Sequence, residues 1–252
     1  ATANSVLMPL YRSSWRLTLV TYAGVALLTA VVWWVMARDV EQTGEAAQGS
    51  GKDFTASMKV FPLLLRIPVV RIVLVVTIGS FFISHGFNNW LPEILRAGGM
   101  TAAQAGFWSI LPIVVGIATT VVVPLIAKPG RRIPMLVGIF MAAAVAALMV
   151  ATTTGAPLAV GLILQGAASR GVLPVVLLIL MDAPRVGPER MGAAGGLYFT
   201  AGEAGGVLGP LFMGVAADLT GGFRDGLLML MGLSMALALV SLRLGFSLRR
   251  QD

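Results

Sequence analysis

The chain has 252 residues, of which 57% are hydrophobic and 12% charged, with a formal net charge of +7. A soluble domain carries about a quarter charged residues, and with a mean hydropathy of +0.89 this composition excludes an ordinary soluble protein. Without cysteine and with one histidine, it also excludes a disulfide framework, thiolate chemistry and a cysteine- or histidine-rich metal centre.

A stretch of about 20 apolar residues matches the hydrocarbon thickness of a bilayer, and seven such stretches follow one another along the chain. The first, 17–37, follows Arg12 and Arg16 and is longer than the roughly 7–15 residues of a signal-peptide core, so it reads as a true span. Ala1 stands where an initiator Met would, which raises the expectation of a longer protein. Residues 38–68 form the one long polar connection. Its first half is rich in Gly, Ala, Gln and Glu, as flexible linkers are. Its second half sets Phe54, Met58, Phe61 and Leu65 at helical spacing, the pattern of an amphipathic segment lying on a membrane surface.

The second span, 69–90, carries His85, Asn88 and Asn89. Their i, i+3, i+4 spacing puts them on one helix face, where amide groups can bind a small polar solute or bond neighbouring helices. Residues 105–126 form the third span. The basic turn Lys128-Pro129-Gly130-Arg131-Arg132 leads into the fourth, 133–151. The fifth, 157–180, contains Arg170, and the sixth, 191–217, contains Glu203. A charge at mid-span costs at least about 2.5 kcal/mol on insertion scales, so each needs a partner, a wet cavity or a function. Helices of opposite direction bring both charges to a similar depth, about 18–20 Å from their entry faces at 1.5 Å per residue. Either the two form a fixed clasp between helices, or Arg170 binds an anion and Glu203 titrates. The seventh span, 226–244, has no lysine, which excludes retinal attachment there.

Thirteen basic residues (Arg38, Lys52, Lys59, Arg66, Arg71, Lys128, Arg131, Arg132, Arg185, Arg190, Arg243, Arg249 and Arg250) fall on one side of the implied topology. Arg12, Arg16, Arg96 and Arg224 fall on the other. By the positive-inside rule the linker and the C-terminus are cytoplasmic and the N-terminus is outside. The basic residues lie between apolar runs, without interleaved aromatics, so nucleic acid is not an expected partner. An internal echo joins Ser84-His85-Gly86 to Ser169-Arg170-Gly171, and Pro124-Leu125 to Pro210-Leu211. Two short matches at nearly one offset arise either by chance or from a three-plus-three inverted repeat, and secondary transporters build their sites at the interfaces of such repeats.

The run Gly205-Gly206-Val207-Leu208-Gly209-Pro210-Leu211, followed by Gly214, Asp218, Thr220 and Gly221, resembles the eleventh helix and next loop of the major facilitator superfamily. Arg12-Ser13-Ser14-Trp15-Arg16 resembles the entry to that family's sixth helix. The 128–132 turn is similar to its basic loop between helices eight and nine, although the acidic member is missing. Asn88-Asn89-Trp90-Leu91-Pro92, Gly99-Met100-Thr101 and Ala105-Gly106 resemble the cyanate and nitroimidazole branch, akin to nitrate carriers.

The resemblance implies an all-α integral membrane protein with seven transmembrane helices, matching family helices six to twelve. Residues 1–37 would be the sixth helix, ending an N-terminal half missing from this sequence. Residues 38–68 would be the central cytoplasmic linker, and 69–252 a six-helix half-transporter bundle. Family helices seven, eight, ten and eleven line the central cavity, which makes Arg170, His85, Asn88 and Asn89 the expected substrate contacts and Glu203 the proton or counter-charge site. The expected activity is secondary transport of a small anion across the inner membrane by alternating access, with neither enzymatic chemistry nor a cofactor or metal. Expected partners are the small-molecule substrate, the lipid bilayer and the missing half. A multidrug-type proton antiporter, or a truncated non-transporting membrane protein with a structural or receptor role, is the alternative.

Overall fold

The computed structural model describes residues 10–11, 14–36, 60–183 and 185–249. The chain divides into two compact units, residues 1–58 and 59–252. In the first, α1 (Trp15–Met36) is a 22-residue helix whose Val20, Leu27 and Trp33 side chains are exposed. Of the expected amphipathic segment, Phe54 and Met58 lie outside the described residues. Phe61 and Leu65 fall on a six-residue helix, α2 (Val60–Leu65), which begins the second unit and buries Leu64.

The second unit continues with α3 (Pro68–Ala97), α4 (Ala102–Trp108), α5 (Ile110–Ile126), α6 (Arg132–Thr152), α7 (Gly155–Asp182), α8 (Gly187–Thr220) and α9 (Arg224–Arg249). No strand occurs among the described residues. Local chemistry sets the ends. Pro68 opens α3 at a position where a missing N–H costs nothing. Thr101 and Gln104 form a reciprocal capping box that starts α4. The α4–α5 interruption at Ser109 lies three residues before Pro112, which has no N–H to offer the Trp108 carbonyl. Gly221, at φ 75°, closes α8 in the left-handed conformation.

Among the described residues, six helical stretches are long and apolar enough to cross a membrane: Trp15–Met36, Pro68–Ala97, Ala102–Ile126, Pro129–Thr152, Gly155–Asp182 and Arg224–Phe246. The expected sixth span lies within α8, which at 34 residues is the longest helix described. It falls outside that group because glycines 192, 195, 196, 202, 205, 206, 209 and 214 add little hydropathy, while Glu189, Arg190, Glu203 and Asp218 subtract from it. Several helices also run past the apolar stretches. In particular, α3 continues through Pro92 to Ala97, since a helix tolerates one lost backbone bond.

The strongest packing joins α3 to α8, α6 to α9, α6 to α7, α5 to α7 and α3 to α9. Exchanging α3 with α7, α5 with α8 and α6 with α9 turns the α3–α8 contact into α5–α7 and the α3–α9 contact into α6–α7. The α6–α9 contact maps onto itself. The Ser84-His85-Gly86 and Ser169-Arg170-Gly171 segments sit at matching places on α3 and α7.

Glycines draw two of these pairs together. A Cβ on Gly205 of α8 would stand 2.0 Å from the Ile78 carbonyl oxygen of α3, and one on Gly209 would stand 2.2 Å from that of Phe82. In the exchanged pair, a Cβ on Gly166 of α7 would stand 2.4 Å from the Pro112 carbonyl oxygen of α5. Backbones at such distances gain dispersion contacts that larger residues would prevent. Trp90 adds a bond across α3–α8, its Nε1–H donating to the Pro210 carbonyl at 2.9 Å.

Candidate functional site

Arg170 sits near the middle of α7 with its side chain exposed. Its stem lies over Gly116 of α5, where a Cβ would meet Arg170 Cγ at 2.7 Å. The glycine thus gives the arginine a path along α5, and its guanidinium stays outside the helix packing.

Glu203, also exposed, is near the middle of α8. Its Oε2 and Nδ1 of His85 each lie 3.4 Å from the position a Cβ on Gly206 would take. The carboxylate and the imidazole therefore flank the same glycine. Phe81 holds the His85 ring in place, stacking on it at 5.4 Å between centroids. The Phe81 carbonyl oxygen lies 3.1 Å from Nδ1. A carbonyl can only accept, so Nδ1 carries the proton in this contact and Nε2 is left as an acceptor.

Asn88 and Asn89 are both exposed on α3. Asn88 Nδ2 donates to Ser84 Oγ at 3.3 Å and, more weakly, to Ser169 Oγ of α7 at 3.5 Å. Asn88 thus joins the two echoing segments one residue away from Arg170. The Asn89 side chain makes no hydrogen bond to another described residue. Of the five predicted residues, His85 and Glu203 flank one glycine, Asn88 bonds Ser84 and Ser169, Arg170 lies along α5, and Asn89 is exposed on α3. The ion pairs among the described residues are Glu93–Arg96 and Arg132–Asp182, so Arg170 and Glu203 do not form the clasp that their similar depth allowed.

Gln165 and Tyr198 are candidate cavity residues whose facing the sequence leaves open, and the partner of Arg132 has no sign in the 128–132 turn. Gln165 is buried, with 1% exposure, and Tyr198 is buried against Phe81 and Phe199. Arg132 is buried at the start of α6, donating through Nη1 to the Leu178 carbonyl at 2.7 Å and through Nε to the Ala127 carbonyl at 3.2 Å. Its Nη1 also pairs with Asp182. The acidic partner lacking in the 128–132 turn therefore comes from the end of α7, fifty residues on. The available signal was Asp182 itself, an acid closing an apolar stretch in a chain whose 128–132 turn is basic.

A family model described as Major Facilitator Superfamily matches residues 5–210. The chain belongs to the Major Facilitator Superfamily. No curated protein matches it. As a member of the Major Facilitator Superfamily it is a multi-pass membrane protein that takes part in transporting a solute across the bilayer. Among the described residues, no three or more His, Cys, Asp or Glu side chains gather as metal ligands.

Proposed function

We propose that this superfamily protein carries a small anion by alternating access, with Arg170 as the anion contact. The observation that supports this is an exposed arginine in the middle of a helix apolar enough to span the membrane, with no carboxylate partner among the described residues. A guanidinium does not lose its proton and is too costly to face lipid, so the surface around it must be wet or occupied by an anion. Its planar fork of donors suits carboxylate, nitrate or cyanate.

Asn88 and Asn89 supply neutral polar contacts and His85 an accepting Nε2, while Glu203 serves as the proton or counter-charge site. In this reading residues 69–252 act as one six-helix transport unit built from two three-helix repeats. The linker and C-terminus face the cytoplasm, as the basic residues favour. The resemblance of 88–92 to the cyanate and nitroimidazole branch narrows the substrate class to small planar or linear anions.

The test is uptake of nitrate, cyanate and small carboxylates into vesicles bearing wild-type or Arg170→Ala protein. Loss of a charge-assisted contact worth about 1.5–3 kcal/mol predicts a rise in half-saturation of roughly 10- to 100-fold. Lysine at 170 should recover part of it. Equal uptake of a transported anion by wild type and Arg170→Ala would exclude the assignment.

A further inference from the structure

Between α3, α6 and α7 lies a partly open pocket of about 20 Å³, whose polar lining is Ser80, Ser84, Gln165 and Ser169. Gln165 is buried; its Nε2 donates to Ser169 Oγ at 2.9 Å, and its Oε1 has no hydrogen-bond partner. No other buried side-chain oxygen or nitrogen among the described residues is left without one. A buried amide oxygen with nothing to accept from is costly, and native structures seldom leave one unmet.

We infer that this cavity binds one water molecule, which bridges α3 and α7 by donating to Gln165 Oε1. The space suits a single occupant, since a cavity holds a water from about 10–15 Å³ upward and the water needs two to four polar partners. Those partners are present. Ser80 Oγ donates to the Thr77 carbonyl at 3.0 Å and keeps lone pairs for a second donor. Ser84 and Ser169 Oγ accept from Asn88, which leaves their hydroxyl protons to donate. Turning the Gln165 amide over would exchange an orphan acceptor for an orphan donor, and water satisfies either.

The lining favours water over a sodium ion. All four polar side chains are uncharged, so a dehydrated cation would find dipoles and no counter-charge. The water extends to Ser80 of α3 a chain that already runs from buried Gln165 through Ser169 to exposed Asn88. It thereby links the inside of the α3–α7 crossing to the helix face that carries the proposed substrate contacts. This inference stands on the cavity and the orphan oxygen, whether or not Arg170 binds an anion.

Three measurements on the whole protein test it. A density map fine enough to show ordered water should contain a peak within about 2.7–3.2 Å of Gln165 Oε1; an empty cavity in such a map overturns the inference. Thermal unfolding in sodium chloride and in choline chloride should give the same midpoint, whereas a saturable rise with sodium would replace the water with a cation. Ser80→Ala and Gln165→Leu should each lower the midpoint by roughly 2–4 °C. The double variant should fall clearly short of the sum, because both single changes remove the same bridge. Simple additivity would show that the two side chains share nothing.

Discussion

Replacing Gly205 with alanine tests the claim that backbone contact holds α3 to α8. The added Cβ would stand 2.0 Å from the Ile78 carbonyl oxygen, 2.9 Å from its carbon and 3.1 Å from the Phe82 nitrogen, whereas ordinary contact begins at 3.4 Å. All three obstacles are backbone atoms, which no side-chain rotation can relieve, so the helices must separate along their length. Overpacking typically costs about 1–3 kcal/mol, and a rigid obstacle puts this change at the upper end. For a unit of this size that corresponds to a fall in unfolding midpoint of roughly 6–12 °C. Gly138→Ala is the matched control: it lies inside α6, and a Cβ there would meet nothing within 4 Å. Its midpoint should stay level or rise slightly, since alanine favours helix by up to about 1 kcal/mol over glycine. The assay is thermal unfolding of the detergent-solubilised protein, followed by loss of its monodisperse peak. If Gly205→Ala melts with wild type, the α3–α8 approach is looser than described and the reasoning fails.

The Arg132 clasp makes a second prediction, about order rather than size. Asp182→Asn removes a carboxylate that is 54% exposed, for a cost of about 1 kcal/mol or less. Arg132→Met instead strips donors from the Ala127 and Leu178 carbonyls and should cost roughly 2–3 kcal/mol; equal costs in thermal unfolding would mean that the ion pair, not the carbonyl bonds, anchors the turn. For Glu203→Gln, uptake should lose its dependence on a pH gradient while exchange at equal pH persists. Gradient dependence unchanged from wild type would remove Glu203 from coupling.

The spans were legible because membrane insertion depends on length and apolarity, and both can be read from sequence alone. Their ends were less so. The apolar stretch at 69–90 stops where hydrocarbon would, but the hydrogen-bonded helix of α3 runs on to Ala97 through polar Glu93 and Arg96. Partnerships between side chains were hidden for a different reason. Counting residues along α7 and α8 gives the depth of Arg170 and Glu203, but not the direction in which each points around its helix. That direction follows from packing: Gly116 opens a path for Arg170 along α5, and Gly206 lets Glu203 and His85 share one side of the α3–α8 contact. Likewise, Gln165 could have faced either the cavity or the core until the α3–α7 crossing buried it.

The glycines of α8 also bear on how the chain enters the bilayer. They let α8 lie against α3 with almost no side-chain layer between them, and in doing so they leave α8 without the apolar surface that carries the other long helices across hydrocarbon on their own. With Glu203 in its middle, an isolated α8 would be costly to place in lipid. Were α8 to enter after α3, the α3 backbone would receive a helix that hydrocarbon alone holds poorly, and part of the topology would be an outcome of folding rather than its starting point.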